Sequence, residues 1–491
     1  MTDTNTSSNR WLALYVLCAG VLMIVLDVTI VNVALPSIKS DLGFTQSGLA
    51  WVVNAYLIAF GGLLLLSGRL GDLIGHRRIF LIGIAVFTGA SLLCAVAQTQ
   101  GMLIAARFIQ GGGGALASAV TLGMIVTMFP EPREQAKAIG VYGFVASAGG
   151  TIGLLAGGVL TDAINWHWIF FVNLPIGVAT GLLALRLVES RPGIGLGEGA
   201  DIPGAALVTA GLMLAVYTIL GVEEHGWTSP RTLLLAAVAI GLVAAFVLRQ
   251  ARIPNPLMPL RLFRSRNVAG ANGVMALLVV GMFGLFFLGA LYLQLILGYD
   301  PLKVGLAFLP ATLVMGTLSL GFTDKLNMRF GPRNVLIAGL FFLIAAMALM
   351  ARTPVDGNYW IDLFGLMIVF GFGAGVSFPA LMMLAMSGAT PSDAGLASGL
   401  VNTTAQVGGA IGLALLATLS TERTQSLLDG GASTASALNG GFHLAYLIGA
   451  ALAVVAIVLA RLVVRSDRAA AAAAHHEAGP AVGEPAYCEA A

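Results

Sequence analysis

Two residues of this 491-residue chain stand where charge is costly. Asp27 lies in "LDVTIVNVALP", Leu26 to Pro36, directly after an almost wholly apolar run from Leu12 to Ile24. Arg107 lies near the start of a second apolar stretch, "LIAARFIQGGGGALASA". An ionised side chain in hydrocarbon costs several kcal/mol, so intramembrane charges usually mark ion, proton or substrate pathways. A carboxylate can take up and give back a proton, and an arginine stays charged and favours the ionised form of a carboxylate beside it. Each residue also has a simpler reading. Asp27 could be a permanently neutral acid making a structural hydrogen bond. Arg107 could snorkel to the interface on its long stem.

Helical geometry constrains Asp27 further. At 100° per residue, Thr29, Asn32 and Pro36 fall on one side of the helix, and Asp27 lies roughly 140–160° from Thr29 and Asn32. Polar groups on nearly opposite faces exclude a lipid-facing helix. The helix is expected inside a bundle, one face packing and Asp27 turned toward a water-filled cavity.

The elements that must position these residues are membrane spans. Hydrophobic residues make up 58% of the chain and charged ones 10%, against about 25% charged in soluble proteins. Apolar stretches long enough to cross hydrocarbon fall at 11–35, 47–68, 79–98, 102–129, 136–161, 166–188, 203–222, 232–251, 267–297, 302–322, 334–352, 361–386, 395–420 and 442–464. Placing the N-terminus in the cytoplasm leaves only Lys39, Arg231, Lys303, Arg352 and Arg423 in outer loops, with Arg107 inside the fourth span, out of 25 basic residues. That asymmetry predicts fourteen spans with both termini cytoplasmic. The 63 glycines suit closely packed helices. Three cysteines, Cys18, Cys94 and Cys488, show no disulfide or metal spacing. His475 and His476 sit in an alanine-rich tail, where solvation competes with metal binding. No phosphate-cradling loop is present, which argues against direct ATP drive, and nothing points to an enzyme, a cofactor or a nucleic-acid partner.

The loops contain an internal echo. "RLGDLIGHRR" after the second span and "KLNMRFGPRN" after the tenth both hold Leu, four residues, then Gly-x-Arg: Leu70, Gly75 and Arg77 against Leu326, Gly331 and Arg333. Repeated halves are typical of secondary transporters. Two six-span halves would place the second copy two spans earlier, so spans seven and eight are the natural insertion. The expected organisation is a cytoplasmic N-terminus (1–10), a six-helix bundle (11–188), a linker (189–202), two inserted helices (203–251), a basic linker (252–266), a second six-helix bundle (267–464) and a disordered cytoplasmic tail (465–491).

These residues together resemble the major facilitator superfamily, specifically its fourteen-span drug:proton antiporters. "GRLGDLIGHRR" is similar to the signature loop Gly-x-Leu-x-Asp-Arg-x-Gly-Arg-Arg/Lys, with Gly68, Leu70, Asp72, Gly75, Arg77 and Arg78 in place and Leu73 and His76 departing from it. Arg107, Gln110 and Gly111 resemble the fourth-span motif, and "LDVTIVNVALP" the first-span motif. "WHWIFFVNLPIG", with His167 for the usual arginine, and "GLASGLVNTTAQVGGAIGLALL" look like further hallmarks. "GGTIGLLAGG" keeps Gly149, Gly153, Gly157 and Gly158 of the fifth-span antiporter motif, with Leu154 in its proline position. The resemblance implies an all-α major facilitator fold of two six-helix bundles plus two inserted helices. It implies a role for Asp27 and Arg107 in binding protons or a substrate cation, and a cytoplasmic gate at Gly68, Asp72, Gly75, Arg77 and Arg78. There Asp72 latches onto the start of the thirteenth span near Gly395, while the four motif glycines pack helices.

Asn32, Asn54, Tyr56, Gln110, Tyr142, Asn272, Tyr292, Gln294, Asn402 and Gln406 are uncharged polar residues within spans, either lining a cavity or bonding between helices. Glu223 and Glu224 are a wet outer loop or a secondary acidic site, and His443 is interfacial. The expected activity is proton-coupled export, by alternating access, of lipophilic and often cationic compounds from a bacterial inner (plasma) membrane, by a functional monomer. Export of a lipid, a siderophore or a self-made antibiotic is the alternative, and a membrane sensor or scaffold a more distant one.

Overall fold

A computed structural model describes residues 3–129, 131–190, 192–193, 195, 201–254, 256–258, 260–387 and 394–464. The helices are α1 (Asp3–Leu42), α2 (Gln46–Ile74), α3 (His76–Ala95), α4 (Gln100–Met128), α5 (Pro132–Ala163), α6 (Trp168–Phe171), α7 (Asn173–Leu187), α8 (Ile202–Leu220), α9 (Val222–His225), α10 (Pro230–Gln250), α11 (Arg266–Leu291), α12 (Pro301–Thr317), α13 (Thr323–Phe330), α14 (Pro332–Met350), α15 (Phe364–Ser387), α16 (Ala394–Asp429) and α17 (Thr434–Leu462). Among the described residues there is no strand. Starts are set by side-chain caps: Thr45, Thr99, Ser229, Ser265, Asp300 and Ser433 each accept from a backbone amide three residues on. Each cap satisfies a donor the helix cannot.

Among the described residues, twelve helical stretches are long and apolar enough to cross a membrane. Of the fourteen expected spans, 136–161 and 302–322 are not among them. The first place holds α5, Pro132–Ala163, and the second the shorter apolar helix Pro301–Thr317. The second is cut short where the helix widens into a π-turn at Leu318–Phe322. The Leu154 position does not interrupt α5, which is continuous from Pro132 to Ala163.

Helices α1–α7 pack chiefly on one another, as do α11–α17. The two groups meet along α2–α16, α5–α12 and α1–α11. Glycine makes these seams close. A Cβ on Gly61 of α2 would sit 2.9 Å from the Gln406 Cβ of α16. One on Gly158 of α5 would sit 2.7 Å from the Leu302 Cα of α12, and one on Gly305 of α12 would sit 2.5 Å from the Leu154 carbonyl oxygen. Gln294 adds a hydrogen bond across the α1–α11 seam, 2.7 Å to the Val33 carbonyl.

The internal echo recurs in three dimensions. Gly75 and Gly331 both adopt positive φ, +108° and +81°, the left-handed region that favours glycine. Each joins two helices end to end. Arg77 donates to the Leu185 carbonyl near the end of α7. Arg333 donates to the Arg461 carbonyl near the end of α17, at 2.7 Å. Each arginine thus ties the loop to the last helix of its own group.

Helix α8 lies against both α2 and α16: a Cβ on Gly62 would meet Thr209, and the Thr418 hydroxyl donates to the Ile219 carbonyl at 3.1 Å. Asp201 ties α8 to α10. Its carboxylate caps Gly204 (2.9 Å), pairs with Arg249 (2.6 Å) and accepts from Gln250 (2.6 Å). Burial pushes this carboxyl up, but the bonds from Arg249, Gln250 and the Gly204 amide outweigh burial and hold its pKa below the usual carboxylate value. Asp201→Ala removes a helix cap and an ion pair together. It is expected to cost about 1–2 kcal/mol and to lower the thermal unfolding midpoint of the purified protein; an unchanged midpoint would contradict the clamp.

Candidate functional site

The charged residues buried within the described spans are Asp27 and Arg107, and they meet. Arg107 Nη1 lies 2.5 Å from Asp27 Oδ2, with 1% and 0% of the two side chains exposed. Arg107 therefore turns inward rather than snorkelling. Its Nε donates to the Val52 carbonyl of α2 at 2.9 Å, and its Nη1 also reaches Gln110 Oε1 at 2.7 Å. The Tyr56 ring lies 4.4 Å from the guanidinium carbon and the Phe170 ring 5.8 Å, close enough for the ring quadrupole to add attraction.

The other carboxylate oxygen is held as fully. Asp27 Oδ1 accepts from Gln110 Nε2 at 2.7 Å and from Asn173 Nδ2 at 2.9 Å. Gln110 Nε2 also donates to Ser91 Oγ at 2.8 Å, and Ser91 donates to the Phe87 carbonyl at 2.8 Å. The cluster draws on α1, α2, α3, α4 and α7. Every group aimed at Asp27 is a donor, the setting of a carboxylate rather than of an acid.

Local sequence explains the convergence. Arg107 and Gln110 are three apart and share a face of α4. The glycine run behind them removes the bulk that would hold α4 away. A Cβ on Gly111 would lie 2.3 Å from the Tyr56 carbonyl oxygen of α2, and one on Gly113 would lie 2.5 Å from the Phe87 amide of α3. Beside Phe170, Trp166 stacks on His167 with ring centroids 3.7 Å apart and donates to Asp41 at 2.9 Å.

The structure corrects one expectation. Asp27 does not face a cavity; it is wholly buried within α1–α7, where Arg107, Gln110 and Asn173 bond both of its oxygens. Thr29, on the opposite face, packs beneath Gly153 of α5, and its hydroxyl returns to its own helix. Asn32 likewise donates to the Val28 carbonyl.

Of the remaining candidates, only Gln110 and Tyr56 join the pair. Asn54 is buried on α2 with neither amide atom partnered. Tyr142 is half-buried on α5. Asn272 donates to the Val268 carbonyl and accepts from Thr404, tying α11 to α16. Tyr292 donates to the Pro354 carbonyl. Asn402 is exposed and Gln406 packs against Gly61. Gly149, Gly153 and Gly157 seat α5 on α1, and Gly158 seats it on α12.

At the gate loop, Asp72 lies 3.4 Å from His76, Arg78 is exposed, and a Cβ on Gly68 would meet open space. Asp72, His76 and Arg77 border a cleft of about 390 Å³ with Arg69 and Glu189. Residues 388–393, where the latch toward Gly395 is expected, lie outside the described residues, as do the Glu223 and Glu224 side chains and the tail with His475 and His476. Two residues of the cluster escaped sequence reasoning, Asn173 and Ser91. The available signal was their isolation: each is the single polar side chain of its local apolar run, "FFVNLPIG" and "GASLLCA".

Removing one member of a buried pair strands the other charge, at about 3–5 kcal/mol. Arg107→Ala is therefore expected to lower the unfolding midpoint further than the double variant Asp27→Asn/Arg107→Gln, which leaves no charge behind. Equal losses would contradict the pairing.

Comparison with known proteins agrees with this architecture. Residues 17–413 match the Major Facilitator Superfamily. The chain is 40% identical to the puromycin resistance protein pur8 of Streptomyces alboniger, over 92% of this chain and 90% of that one. It is 37% identical to the cephamycin export protein CmcT of Amycolatopsis lactamdurans, over 85% and 86%. It is 32% identical to the methylenomycin A resistance protein of Streptomyces coelicolor, over 93% of both. Among solved structures, a bacterial homologue of the human lysosomal transporter Spinster superposes with a TM-score of 0.68 at 16% identity, covering 93% of this chain and 97% of that one, which speaks to the fold. The protein is a multi-pass protein of the plasma membrane and not an enzyme. With an ion pair buried in one of two helix groups that meet at glycine-lined seams, the chain belongs to the Major Facilitator Superfamily of membrane transporters.

Proposed function

We propose that this transporter is a proton-coupled exporter of lipophilic antibiotics or other toxic compounds, with Asp27 as the proton site and Arg107 as its electrostatic partner. The observation that carries this reading is the fully enclosed Asp27–Arg107 pair. A pair that is dry and saturated with donors is stable only while the aspartate is ionised. Protonation removes half of the pair and leaves Arg107 to find another partner, which gives a proton the leverage to change the packing of α1 against α4. A proton entering down a membrane potential contributes about 2.3 kcal/mol per 100 mV.

The topology that fits is fourteen spans with cytoplasmic termini. Helix α5 has 32 residues, about 48 Å of helix, and α12 continues through its π-turn into α13. Each is therefore long enough to cross, and they pack on each other. In that orientation Gln294–Val33, Gly158–Leu302 and Gly305–Leu154 all lie at the outer ends of their helices. The state described is then closed on the outside, with the sealed, charged form of Asp27 facing neither solution. The groups α1–α7 and α11–α17 act as the two rocking bundles, and α8 and α10 as the inserted pair.

The few fixed charges in the spans suit lipophilic substrates better than sugars, which need many hydrogen-bonding partners. The drugs in the names of the relatives place antibiotics first among such substrates. Export of a self-made antibiotic is a second reading, favoured by the relatives described as a cephamycin export protein and a probable actinorhodin transporter.

The test is expression in an efflux-deficient bacterium, with a susceptibility panel that includes puromycin, cephamycin and methylenomycin. Wild-type protein is expected to raise resistance to at least one compound, and a protonophore to abolish the effect. Asp27→Asn, at matched membrane abundance, is expected to lose about tenfold or more of that resistance. Resistance indifferent to both the protonophore and the substitution would refute proton coupling through Asp27.

A further inference from the structure

Asn173 stands apart from the other partners of Asp27 because half of its amide is idle. Nδ2 donates to Asp27 Oδ1 at 2.9 Å and approaches Ser91 Oγ at 3.4 Å. Its Oδ1 is buried and has no hydrogen-bond partner, although the residue is wholly inaccessible to solvent. A buried acceptor left unpaired is destabilising and calls for a reason.

Protonation of Asp27 supplies one. A proton arriving from water binds a carboxylate oxygen, and the new O–H must find an acceptor in a dry site. Oδ2 faces the Arg107 cation, so the proton belongs on Oδ1. There it meets two donors, Gln110 Nε2 and Asn173 Nδ2, and one must turn away.

The acceptors already present are engaged. Gln110 Oε1 takes Arg107, Ser91 Oγ takes Gln110 while its own proton goes to Phe87, and the Val52 carbonyl takes Arg107. Turning Gln110 would break its bond to Arg107. Turning Asn173 breaks no bond to its Oδ1, because there is none. The terminal torsion of asparagine is soft and roughly two-fold. The Tyr56 hydroxyl is also unpartnered, but it lies beside Gly114, two turns along α4 from Arg107. The titratable and charged side chains around Asp27 are Arg107 from α4, Tyr56 from α2 and Cys94 from α3.

We infer that Asn173 is a positioning residue that turns its side-chain amide with each proton cycle. Nδ2 faces the aspartate when Asp27 is ionised, and Oδ1 faces it when Asp27 is protonated. This rests on the reading of Asp27 as the proton site. One residue thereby satisfies both protonation states without admitting water.

The test is acid-minus-neutral infrared difference spectroscopy on the full-length protein in liposomes, with the side-chain carbonyl of asparagine labelled with ¹³C. Wild-type protein is expected to show a carboxylic acid band that Asp27→Asn lacks, and a labelled amide carbonyl band that moves to lower wavenumber on acidification. The amide shift is expected to be absent from Asp27→Asn. In Asn173→Leu, close to isosteric, the Asp27 acid band is expected at higher wavenumber, because its O–H has lost its acceptor. An Asp27 acid band with no amide shift overturns the role of Asn173 and leaves the proton site standing. The absence of any Asp27-dependent acid band overturns both. The wild-type and Asp27→Asn spectra decide the matter even where Asn173→Leu does not fold.

Discussion

The structure depends on a charge pair that has no access to water. Asp27 and Arg107 can be buried because they pair with each other and because both carboxylate oxygens and the arginine Nε and Nη1 have hydrogen-bond partners. Backbone, amide and hydroxyl groups complete what the two charges do not give each other. Isolated, either charge would be too costly to keep in a membrane interior. Together they tie α1 to α4, and their uncharged partners extend the cluster to α2, α3 and α7.

That requirement propagates outward through backbone spacing. Arg107 reaches a carbonyl of α2 only because the glycines that follow let α4 sit against Tyr56 and Phe87. Asp27 holds its position only because α5 seats on the other side of α1 through Gly149, Gly153 and Gly157. The next glycine, Gly158, then touches α12. A continuous packed path therefore runs from the ion pair through α1 and α5 to the second helix group. In the proposed cycle, a proton that loosens the pair would act on the same helix, α1, that packs on α5 and α11. The matched loops at Gly75 and Gly331 are each tied by an arginine to the last helix of its own group.

Much of this was legible in the chain and some was not, for physical reasons. Charge in an apolar run exposed Asp27 and Arg107 directly, and the fourth-span motif drew attention to Gln110 beside Arg107. The Leu-x4-Gly-x-Arg echo was readable because a positive-φ turn admits few residues besides glycine. The wheel of α1 gave two polar faces correctly but assigned them the wrong surroundings. Helical angles say which residues oppose one another and nothing about which neighbour each meets. Asn173 and Ser91 were missed because an asparagine or serine in a span is unremarkable until the fold brings it beside a carboxylate 146 or 64 positions away in the chain. At 302–322 the hydropathy showed an apolar stretch but not the π-turn at Leu318–Phe322, because a local widening of the helix leaves no mark on residue polarity.

The most direct measurement is proton movement itself. The purified protein would be reconstituted in liposomes with a pH-sensitive dye trapped inside and a pulse of an exported drug added outside. Wild-type protein should move protons opposite to the drug, in fixed proportion and without any imposed ion gradient. Asp27→Asn, folded and binding the drug, should move none. Drug flux through wild-type protein with no proton counterflow, or equal counterflow through the variant, would contradict the account.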